Sequence, residues 1–134
     1  MPETEPPTEP LWLNRTIVDA IQEDQRRQHG GNPGVLDDGM IESALARPRN
    51  RFVYAGADLF ACAAAYVFGL AKNHGYQDAS TGTAHMAGLT FLRLNGHRVT
   101  AEPQEIVALM LGVATDEVDE SGIAAWLRQR AATT

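Results

Sequence analysis

The chain has 134 residues, 44% of them hydrophobic, with a formal net charge of −6. That is enough for one domain with a sizeable core, and the acidic balance argues against non-specific nucleic-acid binding, which draws on a basic surface. The single cysteine, Cys62, excludes an intrachain disulfide and fits a reducing compartment, and no apolar run is long enough to span a bilayer.

Met1 to Pro10 is rich in Pro, Glu and Thr and lacks the basic and apolar regions of a secretory signal. It reads as a disordered tail, followed by one domain over 11–130, and a cytoplasmic protein is expected. Asn14 or Thr16 caps the first helix. Ile17, Val18 and Ile21, extended by Gln25 and Gln28, form its inward stripe, and the Gly30–Gly34 run stops it. Asp37 or Asp38 caps a short helix, Gly39 to Ala46, with Met40, Ile41, Ala44 and Leu45 turned inward. Pro48 closes it, because a residue before proline disfavours the helical region. Arg49 to Gly56 then reads as an extended flap or small hairpin carrying two arginines, with a solvated connecting loop as the plainer reading.

Asp58 caps a long apolar helix, Leu59 to Asn73. Small and aromatic residues cover nearly all its faces, so it is expected at the centre of the molecule. A second apolar helix runs to Asn95-Gly96. Pro103 starts another, with Ile106, Val107, Leu109, Met110 and Leu111 as its buried side. Ile123, Trp126 and Leu127 stripe a last helix that ends near Arg130 in a loose tail. The fold class is all-α: a bundle of about six helices with a short β-hairpin flap.

Between the two most apolar helices lies a polar stretch, Lys72 to Ala84, that opens directly into the second of them. A helix N-terminus offers unpaired N–H groups and a positive dipole end, which together suit an anion. His74 and Asp78 sit in this stretch four residues apart. The His suits a general base acting on a hydroxyl, and the Asp suits a hard cation that touches phosphate oxygens. Ser80, Thr81 and Thr83, with the amide of Gly82, suit a phosphate cradle, and His85 lies one turn further on. Spacing alone also allows the plainer reading, in which His74 and Asp78 are helix caps, Cys62 is a core residue and His85 is a half-buried surface residue.

The stretch His74-Gly-Tyr-Gln-Asp78-Ala-Ser-Thr-Gly-Thr83-Ala84 resembles the signature loop of the Fic/Doc family. Outside the loop, Gly30-Gly31-x-Pro33-Gly34, Glu42 to Pro48, Asn50-Arg51-Phe52-x-Tyr54, Asp58-Leu59-Phe60, Ala63 to Tyr66 and Phe91 to Gly96 resemble its Doc branch, the death-on-curing toxins. The resemblance implies a six-helix fold and a nucleotide-dependent transferase that moves phosphate or a nucleotide moiety onto a protein hydroxyl, with an elongation factor Tu-like target. It makes His74 the general base and Asp78 the ligand of Mg²⁺. ATP or another nucleotide would be held by Ser80, Thr81, Gly82, Thr83 and His85. Arg51, Phe52, Val53 and Tyr54 would form the flap that aligns the target peptide as an added strand. The implied partners are a small antitoxin and the target protein, with no direct nucleic-acid binding and no membrane.

The loop departs from the family pattern where phosphate is gripped. Ser80 stands for the usual Asn, Thr81 for the Lys of the Doc branch and Gly82 for the usual Arg, while Gly75 and Tyr76 replace Pro and Phe. Charge-assisted contacts to phosphate are the strong ones, so their loss opens two alternatives. One is a weakened or inactive relative that acts by binding. The other is a site repurposed for a less anionic ligand or a different reaction.

Overall fold

A computed structural model describes residues 8–31, 34, 35, 37–73 and 80–133. It contains six helices: α1 (Arg15–His29), α2 (Asp38–Ala55), α3 (Leu59–Asn73), α4 (Ser80–Leu94), α5 (Pro103–Ala114) and α6 (Glu120–Arg130). A two-stranded antiparallel sheet pairs β1 (His97–Val99) with β2 (Ala131–Thr133). None of the helices is long and apolar enough among the described residues to cross a membrane.

Local signals set most of the helix ends. Asn14 Oδ1 accepts from Ile17 N at 2.9 Å, Asp37 Oδ1 from Met40 N at 3.1 Å and Asp58 Oδ1 from Ala61 N at 2.8 Å, so each carboxylate or amide satisfies a donor that the first turn leaves free. Pro103 opens α5 behind a capping box of Glu102 and Glu105. Gly30 ends α1 at a φ of 79°, a conformation that costs glycine little.

α3 is the centre. Cys62 to Val67 and Leu70 are all buried, and the helix packs against α2, α4 and α6. Its alanines let α4 come close: a Cβ on Gly88 would lie 2.5 Å from Val67 Cγ2. Tyr66 is fully buried, and its hydroxyl accepts from Leu13 N at 2.9 Å. Trp12 stacks on Phe91 with ring centroids 5.7 Å apart, and Asn95 exchanges two hydrogen bonds with the backbone of Leu11. The segment before α1 is thereby fastened to α3 and α4.

Four expectations need correction. Pro48 does not close a helix at Ala46: α2 continues to Ala55 with Pro48 buried inside it. A mid-helix proline costs about 3 kcal/mol. Here that cost is offset by tertiary packing on α3, by ion pairs from Arg47 and Arg51 to Glu120, and by Phe52 edge-on to Trp12 at 5.8 Å. Arg49 to Ala55 is accordingly helical rather than an extended flap, and Gly56, at a φ of 63°, ends it. The short sheet forms elsewhere, because residues 131–133 return to β1 as a strand instead of a loose tail, in the register Val99↔Ala131 and His97↔Thr133. Finally, Met40 on α2 is exposed, as are Val107 and Leu111 on α5, where Leu109, Met110, Gly112 and Val113 turn inward instead.

Candidate functional site

The polar stretch sits between the end of α3 and the start of α4. His74 and Asp78 lie outside the described residues, as do the intervening Gly75, Tyr76 and Gln77 and the following Ala79. The geometry on either side of them is defined. Ser80, Thr81, Gly82 and Thr83 form the first turn of α4 rather than a loop before it. A first helical turn leaves its backbone N–H groups without acceptors inside the helix, which is the property the expected phosphate cradle relies on.

The side chains of that turn diverge. Thr81 is exposed. Thr83 is fully buried, and its hydroxyl donates to Oε1 of Gln22 on α1. It therefore ties α4 to α1 and does not face an incoming ligand. Gly82 lies against Gln25, also on α1: a Cβ at position 82 would run into Gln25 Oε1. Gln22 and Gln25 are both buried. They lie three residues apart and so on one helix face. Sequence reasoning placed Gln25 only on an amphipathic stripe and passed over Gln22. Two glutamines on the inward face of a helix are the signal that points to a polar partner across the contact.

His85 is 9% exposed. Burial lowers its pKa from the ordinary histidine value, because desolvation disfavours the charged imidazolium. At neutral pH it is uncharged, and it does not supply the positive charge missing at Thr81 and Gly82.

On the other side of the stretch, α3 ends in Lys72 and Asn73 at one end of a cleft of about 580 Å³ between α2 and α3. Arg47, Arg51, Tyr54 and Phe68 also line it. Its cations are paired: Glu120 at the start of α6 takes both Arg47 (2.6 Å) and Arg51 (3.1 Å), and Lys72 pairs with Asp116. Asn73 Nδ2 donates to the Met40 carbonyl, holding the end of α3 to the start of α2. Of the residues expected to align a target, Val53 and Tyr54 are exposed (57% and 84%), Phe52 packs on Trp12, and Arg51 is held by Glu120. They occupy the last turns of a helix, so main-chain pairing with an added strand is not available to them.

Among the described residues, no three His, Cys, Asp or Glu side chains cluster in a way that would hold a metal ion. Cys62 is buried, and burial pushes its thiol up to about 11. It stays protonated at neutral pH and is a core residue.

Comparison with known proteins bears on what this geometry serves. Residues 9–92 match the Fic/DOC family. The Protein kinase doc of Escherichia phage P1 is 36% identical over 111 residues, covering 82% of this chain and 87% of that protein. Toxin Doc of Mycolicibacterium smegmatis (strain ATCC 700084 / mc(2)155) is 38% identical over 102 residues, covering 73% of this chain and 78% of that protein.

Proposed function

This chain belongs to the Fic/DOC family, and on that premise we propose that it is the toxin of a toxin–antitoxin pair, transferring phosphate or a nucleotide moiety onto a hydroxyl of a protein target. The observation that carries this reading is similarity along most of both chains to one protein named a kinase and another named a toxin. The sequence supports it by carrying His74 and Asp78 in the stretch that follows α3, residue types suited to act on a hydroxyl and to hold a metal.

In this reading, His74 takes the proton of the target hydroxyl as its oxygen attacks phosphorus. The bond that breaks releases ADP if the terminal phosphate moves, or pyrophosphate if the nucleotide moves. The first-turn amides of α4 take up the negative charge spread over the phosphate oxygens. Amides and the hydroxyl of Thr81 make a donor set that fits phosphate. Asp78 would hold Mg²⁺, which when bound draws charge from the phosphate oxygens. The target approaches along the α2–α3 cleft past Tyr54 and Lys72, and a small antitoxin protein holds the toxin in check.

The test combines expression and labelling. Induction of the parent chain arrests growth, and co-expression of its antitoxin relieves the arrest. Purified chain with elongation factor Tu, Mg²⁺ and ATP labelled at either the α- or the γ-phosphate marks the target from one label and not the other. His74→Ala reduces that labelling by about 10²–10⁴-fold with an unchanged circular dichroism spectrum. An alanine variant as toxic and as active as the parent sinks the assignment of His74.

A second reading, binding without efficient turnover, is favoured by one observation. The buried polar side chains of α1 and of the start of α4 (Gln22, Gln25, Thr83 and His85) carry no cation at pH 7. Gly82→Arg separates the two readings, since an added guanidinium raises transfer only where its absence limits the rate. Gln25 occupies the space such a side chain would enter, so Gly82→Arg is best compared with Gly82→Arg combined with Gln25→Ala.

A further inference from the structure

We infer that the outer face of α5, together with the groove between α5 and α6, docks a partner protein through a short basic amphipathic helix. The inference is independent of the transfer reading, which draws on α2, α3 and the start of α4.

Ile106 to Ala114 is an unbroken run of nine apolar residues. A helix that is apolar on all sides belongs inside a protein or against a partner. α5 is covered on one side only. Leu109, Met110 and Val113 are buried, whereas Val107 and Leu111 are 58% and 61% exposed. These two lie four residues apart and so on one helix face, which exposed Ala114 continues. Exposed Ala108 joins that face to a groove of about 560 Å³ between α5 and α6, lined also by Leu109 and Trp126. A contiguous apolar surface of this kind marks a place of interaction.

The charge around the face decides its occupant. Glu102 and Glu105 stand at the start of α5, and Asp116, Glu117, Asp119 and Glu120 follow its end. Residues 102–120 contain no Lys, Arg or His. The other 11 of the chain's 17 acids are matched by its 11 Lys and Arg, so the formal net charge of −6 is the charge of this one segment. The fold keeps the acids beside the apolar face: Val118 N donates to the Gly112 carbonyl at 3.0 Å and turns the chain back against the end of α5. Glu105 pairs with Arg130, Asp116 with Lys72, and Glu120 with Arg47 and Arg51. Glu102, Glu117 and Asp119 make no ion pair among the described residues.

An apolar stripe between acidic ends fits a helix with apolar residues at i, i+3 or i+4 and i+7 and Lys or Arg beside them. The same field disfavours other occupants. A second copy would set one acidic segment against another, and nucleic acid or an anionic bilayer is repelled.

The experiment uses the full chain and three synthetic peptides of about fifteen residues, near the shortest length that holds a helix in water. One has Leu at the stripe positions and Lys elsewhere, one has the same Leu positions with Glu elsewhere, and one is a scrambled Leu–Lys sequence. Fluorescence anisotropy measures binding, and backbone amide chemical shifts locate it. The parent binds the first peptide, more weakly as salt rises, and binds the other two about tenfold less or worse. The shifts fall within residues 103–130. Val107→Gln combined with Leu111→Gln weakens binding about tenfold or more and leaves the thermal midpoint unchanged, since both side chains face solvent. Glu117→Lys weakens it about threefold and flattens the salt dependence.

No binding of the Leu–Lys peptide overturns the inference. So does equal binding of the Leu–Glu or scrambled peptide, unchanged affinity in both variants, or shifts centred on another helix. A parent dimer in analytical ultracentrifugation that the double Gln variant dissociates assigns the face to self-association and overturns it as well. None of these outcomes touches the transfer reading, which stands or falls on labelling of the target.

Discussion

The two ends of the polar stretch are built in opposite ways. The α2–α3 cleft, where α3 ends, is open and charged: Arg47, Arg51 and Lys72 line it, and Glu120 and Asp116 neutralise them from the α6 side of the molecule. The α1–α4 contact, where α4 begins, is built of uncharged groups, with Gln22, Gln25 and Thr83 buried. The cations of this region sit on α2 and at the end of α3, while the first turn of α4 carries only amides and hydroxyls. Ion pairs at a half-exposed surface exchange with solvent and salt cheaply. Buried neutral polar groups do not, because each lost partner leaves a desolvated atom behind. The cleft is therefore the adaptable half and the contact the rigid half.

The largest expected effect removes the support that both halves share. Tyr66 and Cys62 are buried in α3, and burial pushes their pKa values up to about 12 and about 11 from ordinary values of 10.0 and 9.0. The folded chain therefore holds these protons more tightly than the unfolded one. Stability is full below pH 9 and falls as pH rises toward 12. Urea unfolding at pH 8, 10 and 11.5 should show a progressive drop, and Tyr66→Phe should flatten its upper part. A free energy constant across that range would overturn the assignment.

Thr83→Val tests the rigid half. It keeps the shape and removes the donor to Gln22, at an expected cost of about 1–3 kcal/mol, with both the melting temperature and the phosphate affinity lowered. A neutral result in both would show that the α1–α4 contact is held by packing alone.

Glu120→Ala tests the adaptable half. Removing the acid that Arg47 and Arg51 share should cost only about 1 kcal/mol, most of it gone at 1 M salt, and should increase the affinity of the cleft for an acidic peptide measured by fluorescence anisotropy. A loss as large as that of Thr83→Val, independent of salt, would erase the distinction between the halves.

Much of this architecture is local chemistry and can be read residue by residue. Asn14, Asp37, Asp58 and Pro103 start helices because a side-chain oxygen or a missing N–H answers the first turn's free donors, wherever that turn ends up in space. Leu59 to Asn73 announces a central helix because apolar and small residues leave no polar face. The position of the candidate site is legible in the same way: a polar stretch between two apolar helices belongs at a surface, and the α4 N-terminus follows from it. The six-helix architecture expected from the resemblance is likewise present.

What the tertiary structure decided are the features whose causes lie far away in sequence. Pro48 stays helical because α3, Trp12 and Glu120 hold the helix on both sides of it. Residues 131–133 become a strand because β1 offers a free edge. Val107 and Leu111 face outward although their neighbours are just as apolar, since only the packing partner determines which side of α5 is inside. Gln25 is the clearest case. Its sequence context marks it as one more residue on a helical stripe. Only the approach of α4, with no side chain at Gly82 to keep it away, packs its carboxamide against the first turn of that helix. Local sequence dictates where helices start and which faces are apolar. Long-range packing dictates which polar groups are brought together, because that depends on two helices meeting and not on either one alone.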